Sequence, residues 1–290
     1  MFDMFCCPVC KGELLQKLQN YACLSCERNY PIVNSIPNFY IDESGHDFSS
    51  DPNIIWLDPK IVEARETVYR LCSRELQGMT FCMGEIAKRT SKGCRLLEVG
   101  MGTGHFTRWL AEVSAPGTAI YAFDFSWPII EKARTNIGEN PDVTLLRANA
   151  REGLPFQPGF FDIVYIRLAP LGASGVPNVQ AAFDLLKPGG WYFWAGWEKD
   201  KFETPPTEWA IQHGYESAEF HAWQYQRTQS QEEHSAWQIE FGHLLAMAEK
   251  FKKIDTSKEA SFDPVSDQVS NGGVLRMIQE HVMIAQKPGR

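Results

Sequence analysis

From about Gly93 onward, short apolar runs alternate with stretches whose apolar residues recur on one face of a helix. The runs at 95–99, 119–123, 143–146, 162–166 and 191–194 predict strands. Between them, 106–112, 128–137 and 179–186 predict helices, the second with Pro128 in its first turn, and Lys187-Pro188-Gly189-Gly190 marks a turn. The closing stretch, 277–285, predicts a final strand pair or one long strand. Strands alternating with helices imply an α/β domain: a Rossmann-like, doubly wound, mostly parallel seven-stranded sheet with helices on both faces. Right-handed crossovers leave it few topologies.

Upstream of this alternation, Ile61, Val62, Val68, Leu71, Leu76 and Phe81 fall at helical spacing and predict two helices over 59–89, broken near Gly78. The polar stretch 42–53 reads as a linker, and residues 1–42 as a compact cysteine-bearing unit. Residues 199–260, rich in Trp, His, Gln and Glu with a helix over 237–251, do not follow the alternation and are expected to form an insertion or lid on the substrate side. The expected organisation is therefore 1–42, a linker with helices over 43–92, and a catalytic unit over 93–290.

The chain has 290 residues, 44% apolar and 22% charged, which suits one α/β domain with a small appended module. Its formal net charge of −8 opposes docking on a phosphate backbone, so nucleic acid is the less expected partner, although a local basic patch would still serve. No run reaches the roughly 18 apolar residues of a bilayer span. Met1-Phe2-Asp3-Met4-Phe5 lacks the basic flank of an export signal, so a cytoplasmic location is expected.

Five of the eight cysteines fall within the first 26 residues. Cys7-Pro8-Val9-Cys10 and Cys23-Leu24-Ser25-Cys26 are two Cys-x-x-Cys turns separated by twelve residues, the spacing of a closed tetrahedral zinc site. Four thiolates leave no open position for water, so the zinc is structural; a set of free or disulfide-linked cysteines is the alternative. Cys6 would need a longer loop to Cys10 than Cys7 does, which selects Cys7. Gly12 suits a tight turn after the first pair, whereas Glu27 stands where glycine is common after the second. Cys72, Cys82 and Cys94 are isolated and expected in the core. Cys7-Pro8-x-Cys10-Lys11-Gly12-x-Leu14, Cys23-x-x-Cys26, Tyr30-Pro31-Ile32 and Ile36-Pro37 resemble the small zinc-ribbon proteins that partner and activate methyltransferases. That resemblance implies a stabilising module or one that makes a protein contact.

The second motif is Leu96-Leu97-Glu98-Val99-Gly100-Met101-Gly102-Thr103-Gly104, with Asp124 twenty residues beyond its last glycine at the end of the next strand. Such a turn lets backbone approach a ligand, and the later acid can accept from ribose hydroxyls. A dinucleotide fingerprint reads G-x-G-x-x-G. Here the spacing is G-x-G-x-G, and Glu98 would repel a pyrophosphate but favour the cationic methionine end of S-adenosylmethionine. The Glu-x-Gly-x-Gly-x-Gly pattern resembles class I methyltransferases. Asp124-Phe125-Ser126, Asn149-Ala150, Leu154-Pro155-Phe156, Phe161-Asp162-Ile163-Val164 and Leu186-Lys187-Pro188-Gly189-Gly190 extend the likeness, toward the ubiquinone-biosynthesis type. The resemblance implies that Glu98, Gly100 and Gly102 hold the methionine end, Asp124 the ribose, Phe125 the adenine face and Asn149 its edge. Gly104, Ala150 and Arg167 complete the expected cofactor site. The family usually has aspartate where Asn149 stands, and an amide oxygen can still accept from adenine.

Methyl transfer needs alignment of the methyl donor and nucleophile, and a base only for some acceptors. No general base is legible, and the weak candidates are Arg167, His221 and His234, with Trp194 and Trp197 near the substrate mouth. His213 and His243 share the presumed lid, and His105 reads as a helix residue. Phe220, Trp223, Tyr225 and Trp237 would line a pocket or pack the core. Arg167-Leu168-Ala169-Pro170-Leu171 lacks the Asn/Asp-Pro-Pro-Tyr/Phe motif of amino-group methylases. A small-molecule acceptor is favoured; the alternatives are a ribosomal RNA guanine methyltransferase, whose ribbon typically carries histidine where Cys26 stands, and a non-catalytic protein whose ribbon docks a partner.

Overall fold

In the computed structural model the described residues are 4–40, 57–150, 153–167, 179–196, 205–250, 269–270 and 273–289. The linker at 42–53 lies outside them. The N-terminal unit is a four-stranded antiparallel sheet of β1 (Leu14–Gln16), β2 (Asn20–Cys23), β3 (Asn29–Val33) and β4 (Ile36–Pro37). Two helices follow, α1 (Pro59–Cys72) and α2 (Gln77–Arg89). Asp58 caps α1 by accepting from Lys60 N at 2.8 Å, ahead of a proline in the first turn. The break between them spans residues 73–76, so Gly78 lies inside α2 rather than at the break. Leu76 offers α2 no side-chain cap; the Gly78 N–H instead donates to Glu280 Oε2 at 3.0 Å, a partner brought from the far end of the chain.

The main sheet is built from β5 (Arg95–Val99), α3 (His105–Val113), β6 (Ala119–Asp124), α4 (Trp127–Ile137), β7 (Val143–Arg147), β8 (Phe161–Arg167), α5 (Val179–Leu185), β9 (Leu186–Gly196), α6 (Pro206–Gln212), β10 (Ser217–Ser230), α7 (Gln231–Lys250), β11 (Val269–Ser270) and β12 (Gly273–Gln286). Its order is β10-β12-β9-β8-β5-β6-β7, with the two-residue β11 pairing off β12, so among the described residues it has eight strands against the expected seven. The strands from β7 across to β9 are parallel, and β12 and β10 return antiparallel. The order reverses between β5 and β8, the switch point at which such sheets bind ligands.

Two further corrections concern the C-terminal part. Within the segment expected as a lid, Ser217–Ser230 is a strand paired residue for residue with β12 at the edge of the sheet. Its exposed and half-buried positions alternate, a period that the Trp, His and Gln content masked. The second correction is α7, which starts at Gln231, six residues ahead of the expected 237; of the two readings of the closing segment, one long strand is the one found.

Alternation along the strands separates two cores. Leu96, Ile120, Ile163, Tyr165, Phe193, Val282 and Ile284 face α1, α2 and α3. Leu97, Val99, Tyr121, Phe123, Leu146 and Val164 face the other way, where Phe5, Tyr21, Tyr30 and Phe39 of the N-terminal unit join the same core. The cysteine-bearing unit therefore covers part of the sheet face that a helix would otherwise cover. Backbone bonds fix it there, with Cys6 N donating to Pro155 O at 2.9 Å and Phe39 N to Arg147 O at 2.8 Å. No helix among the described residues is long and apolar enough to cross a membrane.

Candidate functional site

The glycine turn sits at the carboxyl end of β5, at the switch point. Gly100, Gly102 and Gly104 have φ of 70°, 55° and 83°, left-handed values that a side chain would strain. A Cβ on Gly104 would lie 2.9 Å from Ala133 Cα, so that glycine lets α3 approach α4. A Cβ on Gly102 would meet nothing within 4 Å, so this glycine borders open room.

Glu98 precedes the turn and is 2% exposed, with its Oε2 finding no partner among the described residues. Burial pushes its carboxyl up to about 8; Thr107 and the Arg167 guanidinium oppose that rise, and Asp124 adds to it. Such a buried acid is poised to meet a cation. Asp124, at the end of β6, accepts from Phe125 N at 2.8 Å and Ser126 N at 3.2 Å on one oxygen, and from Gly102 N at 3.3 Å on the other. It thereby ties the two ligand-side loops together. Burial lifts it to about 6 against those three N–H groups. Phe125 is half-buried, and its carbonyl accepts from Arg147 Nε at 2.7 Å. Asn149 and Ala150 follow β7 and are half-buried, next to Ala148, whose N–H donates to Asp124 O at 3.1 Å.

Arg167 ends β8 and is buried, donating from Nη1 to the Tyr69 hydroxyl at 2.6 Å, with its guanidinium 4.4 Å above the Phe106 ring. Arg65 donates to the same hydroxyl at 2.5 Å and pairs with Glu240 of α7, also at 2.5 Å. Beside the turn, His105 Nε2 lies 3.0 Å from Glu66, and Asn136 donates to Glu66 and to Thr103 O, each at 2.8 Å. Against its burial, His105 and Asn136 hold Glu66 below the usual carboxylate range. Arg65, Glu66 and Tyr69 escaped sequence reasoning. Their helical face was legible, but nothing local says that α1 lies over the carboxyl ends of the strands.

The structure brings Glu98, the three glycines, Asp124 and Arg167 to one end of the sheet. His221 lies elsewhere, on edge strand β10, against Phe81 and 3.3 Å from Glu219. His234 is on α7, stacked with Trp237. Trp194 is buried in the core, and His213 Nδ1 contacts Trp209 O of its own helix at 2.8 Å. Trp223 packs on Phe81, and the Tyr225 hydroxyl donates to Glu280 at 2.8 Å. Trp197 and the side chain of His243 lie outside the described residues.

The sulfurs of Cys7, Cys10, Cys23 and Cys26 all lie within 4.8 Å of one another, with Cys7 to Cys26 at 3.6 Å and Cys10 to Cys23 at 3.5 Å. Tetrahedral zinc with bonds of about 2.3 Å needs sulfurs about 3.8 Å apart, so the cluster fits. Ser25 and Cys26 N–H groups point at Cys23 Sγ, each at 3.4 Å, and the Tyr30 hydroxyl lies 3.1 Å from Cys7 Sγ. Burial opposes the Cys7 thiolate, but N–H groups of Cys10 and Val9 and the Tyr30 hydroxyl bring it down to about 6. Cys6 is not among the sulfurs that cluster, and burial pushes its thiol up to about 11. Lys11 (φ 58°) and Glu27 (φ 59°) occupy the left-handed position after each pair, so the two turns are alike. Gly12 serves by lacking a side chain, since a Cβ there would lie 2.4 Å from Ser25 Oγ.

Residues 96–190 match a family model described as a methyltransferase domain. The demethylmenaquinone methyltransferase of Lactococcus lactis is 33% identical over 104 residues, 34% of this chain and 40% of the relative. That of Staphylococcus aureus is 33% identical over 103 residues, 34% and 41% of the two chains. This chain thus spans about two fifths of the length of these curated relatives. The YcgJ protein of Bacillus subtilis superposes with a TM-score of 0.50 at 13% identity, covering 72% of this chain and 99% of that one, a likeness of fold. Residues 96–190 thus match a methyltransferase domain and lie on a mostly parallel sheet with a glycine turn at its switch point.

Proposed function

We propose that the protein transfers a methyl group from S-adenosylmethionine to a small-molecule acceptor and that its four N-terminal cysteines hold a structural zinc ion. The observation that carries the first reading is Glu98, a buried acid with an oxygen that has no partner among the described residues, beside a glycine turn that borders open room. Its carboxylate suits the positively charged methionine end, and Asp124 suits the ribose. Phe125 would cover adenine, with Asn149 and Ala150 at its edge and Arg167 closing the far side. When bound, the cofactor supplies an electrophilic methyl group on a sulfonium. The protein's part is to align the acceptor and exclude water. Arg167 is buried against Tyr69 and Phe106, and Arg65 beside them pairs with Glu240 of α7, an aromatic and charge-paired cluster rather than an exposed basic stripe. The acidic net charge and the small-molecule substrate in the relatives' names support the same acceptor class.

Calorimetry with S-adenosylhomocysteine tests the methyl-donor site: Asp124→Ala abolishes binding while the protein stays folded, and unchanged affinity would sink the ribose assignment. Incubation with methyl-labelled S-adenosylmethionine and a cell lysate tests the acceptor. Label in the small-molecule fraction supports this reading, and label in RNA or protein overturns it. Metal analysis of protein purified without added zinc should return one zinc per chain.

A further inference from the structure

The N-terminal unit reaches the methyl-donor site at two points. Ile36 of β4 lies in one buried cluster with Met101, the residue between the first two glycines of the turn, and with Ala122, Ile130 and Ala133. Two residues further on, Asn38 pairs with Arg147 in a parallel bridge, so this chain extends the sheet beyond its edge strand β7. The Arg147 side chain then turns back across the site. Its guanidinium lies 4.3 Å from the Tyr40 ring centroid and 5.2 Å from that of Trp127, while its Nε donates to Phe125 O at 2.7 Å. Phe125 N and Ser126 N, on the same loop, are the groups that hold Asp124 Oδ1.

A guanidinium is planar: it can stack its face on an aromatic ring while an in-plane N–H donates to a carbonyl. Lysine has the charge but no such in-plane donor. Arg147 is thus clamped between a ring of the N-terminal unit and the backbone of the loop that carries Asp124 and Phe125. We infer that Tyr40 and Arg147 are positioning residues: the tail of the cysteine-bearing unit sets the loop 124–127, and through it the adenosine end of the methyl-donor site. This inference rests on the methyl-donor reading of that site. The loop's shape then depends on the N-terminal unit, whose contact changes the affinity for the methyl donor without touching the ligand. Edge protection of β7 alone would need only the backbone pairing of residues 38 and 39.

Full-length Tyr40→Leu, Tyr40→Phe and Arg147→Lys proteins separate these roles. Amide hydrogen exchange is read in the ligand-free proteins, and S-adenosylhomocysteine affinity by calorimetry. Tyr40→Leu and Arg147→Lys should lose protection at residues 125–127 while the rest of β6 and α4 keeps it. Their dissociation constants should rise roughly three- to tenfold. Tyr40→Phe, which keeps the ring, should match the parent in both. Unchanged exchange and affinity in Tyr40→Leu and Arg147→Lys overturn the inference, as does an equal loss in Tyr40→Phe or a loosening spread over the whole sheet. A parent protein that binds no S-adenosylhomocysteine would overturn the methyl-donor reading instead, and the exchange data would still decide whether Tyr40 and Arg147 hold the loop.

Discussion

Glu98 concentrates the conflict between stability and binding in one side chain. Burial raises its pKa to about 8, so the ligand-free protein carries a proton there at neutral pH. The folded state holds that proton more tightly than the unfolded chain does. Glu98 therefore contributes a loss of stability as pH rises from the usual carboxylate range toward 8. A cationic ligand favours the ionised form, so its binding expels the proton. S-adenosylmethionine affinity should accordingly climb as pH rises toward about 8 and then level off. Glu98→Gln should flatten that slope and weaken binding by about tenfold to a hundredfold, yet melt no lower than the parent at pH 8. Calorimetry from pH 6 to 9 with parallel melting curves reads both. The acid and its motif were legible in the sequence because the strand, glycines and carboxylate lie within a few residues. Its orphaned oxygen was not, because that depends on what α3, β6 and β8 bring beside it.

Among the elements, the glycine turn separates packing from ligand access. Gly104→Ala would press a methyl against Ala133 backbone in a left-handed conformation and should cost about 1–3 kcal/mol of stability. Gly102→Ala meets no neighbour within 4 Å. It should cost about 1 kcal/mol and instead impair S-adenosylhomocysteine binding. Denaturant titration and calorimetry on the pair distinguish the two, and similar effects of both substitutions would contradict this division. β5, α3, β6 and α4 were readable to within a residue, since their periods are local, whereas β9 starts at Leu186 and takes in the stretch 187–190 that reads as a turn. The junction of α1 and α2 was misplaced because the cap of α2 comes from Glu280, remote in sequence. Strand β10 was missed because its pairing with β12, not its composition, makes it a strand.

For the whole molecule, the decisive feature is the shared core. Phe5, Tyr21, Tyr30 and Phe39 pack with Leu97, Val99, Tyr121 and Phe123, so the cysteine-bearing unit and the sheet protect one another from water. Unfolding should then be a single transition rather than two. On the zinc proposal, a strong chelator should lower the melting temperature of the entire protein, because a structural metal couples its binding to folding. Calorimetric scans with and without chelator check this, and an early separate transition in the chelated sample would contradict the shared core.

By itself the sequence determined the Rossmann-like alternation, the glycine turn with its two acids, and the two Cys-x-x-Cys pairs that come together. Each of these is written in residues close together along the chain, where period, spacing and turn chemistry act locally. Only the tertiary structure decided that the N-terminal unit replaces a covering layer of the sheet, that α1 brings Arg65 and Tyr69 to Arg167, and that Tyr40 meets Arg147. Those pairings join segments far apart in sequence. They form because apolar faces left open by one segment can be closed only by another, and no local pattern records which one.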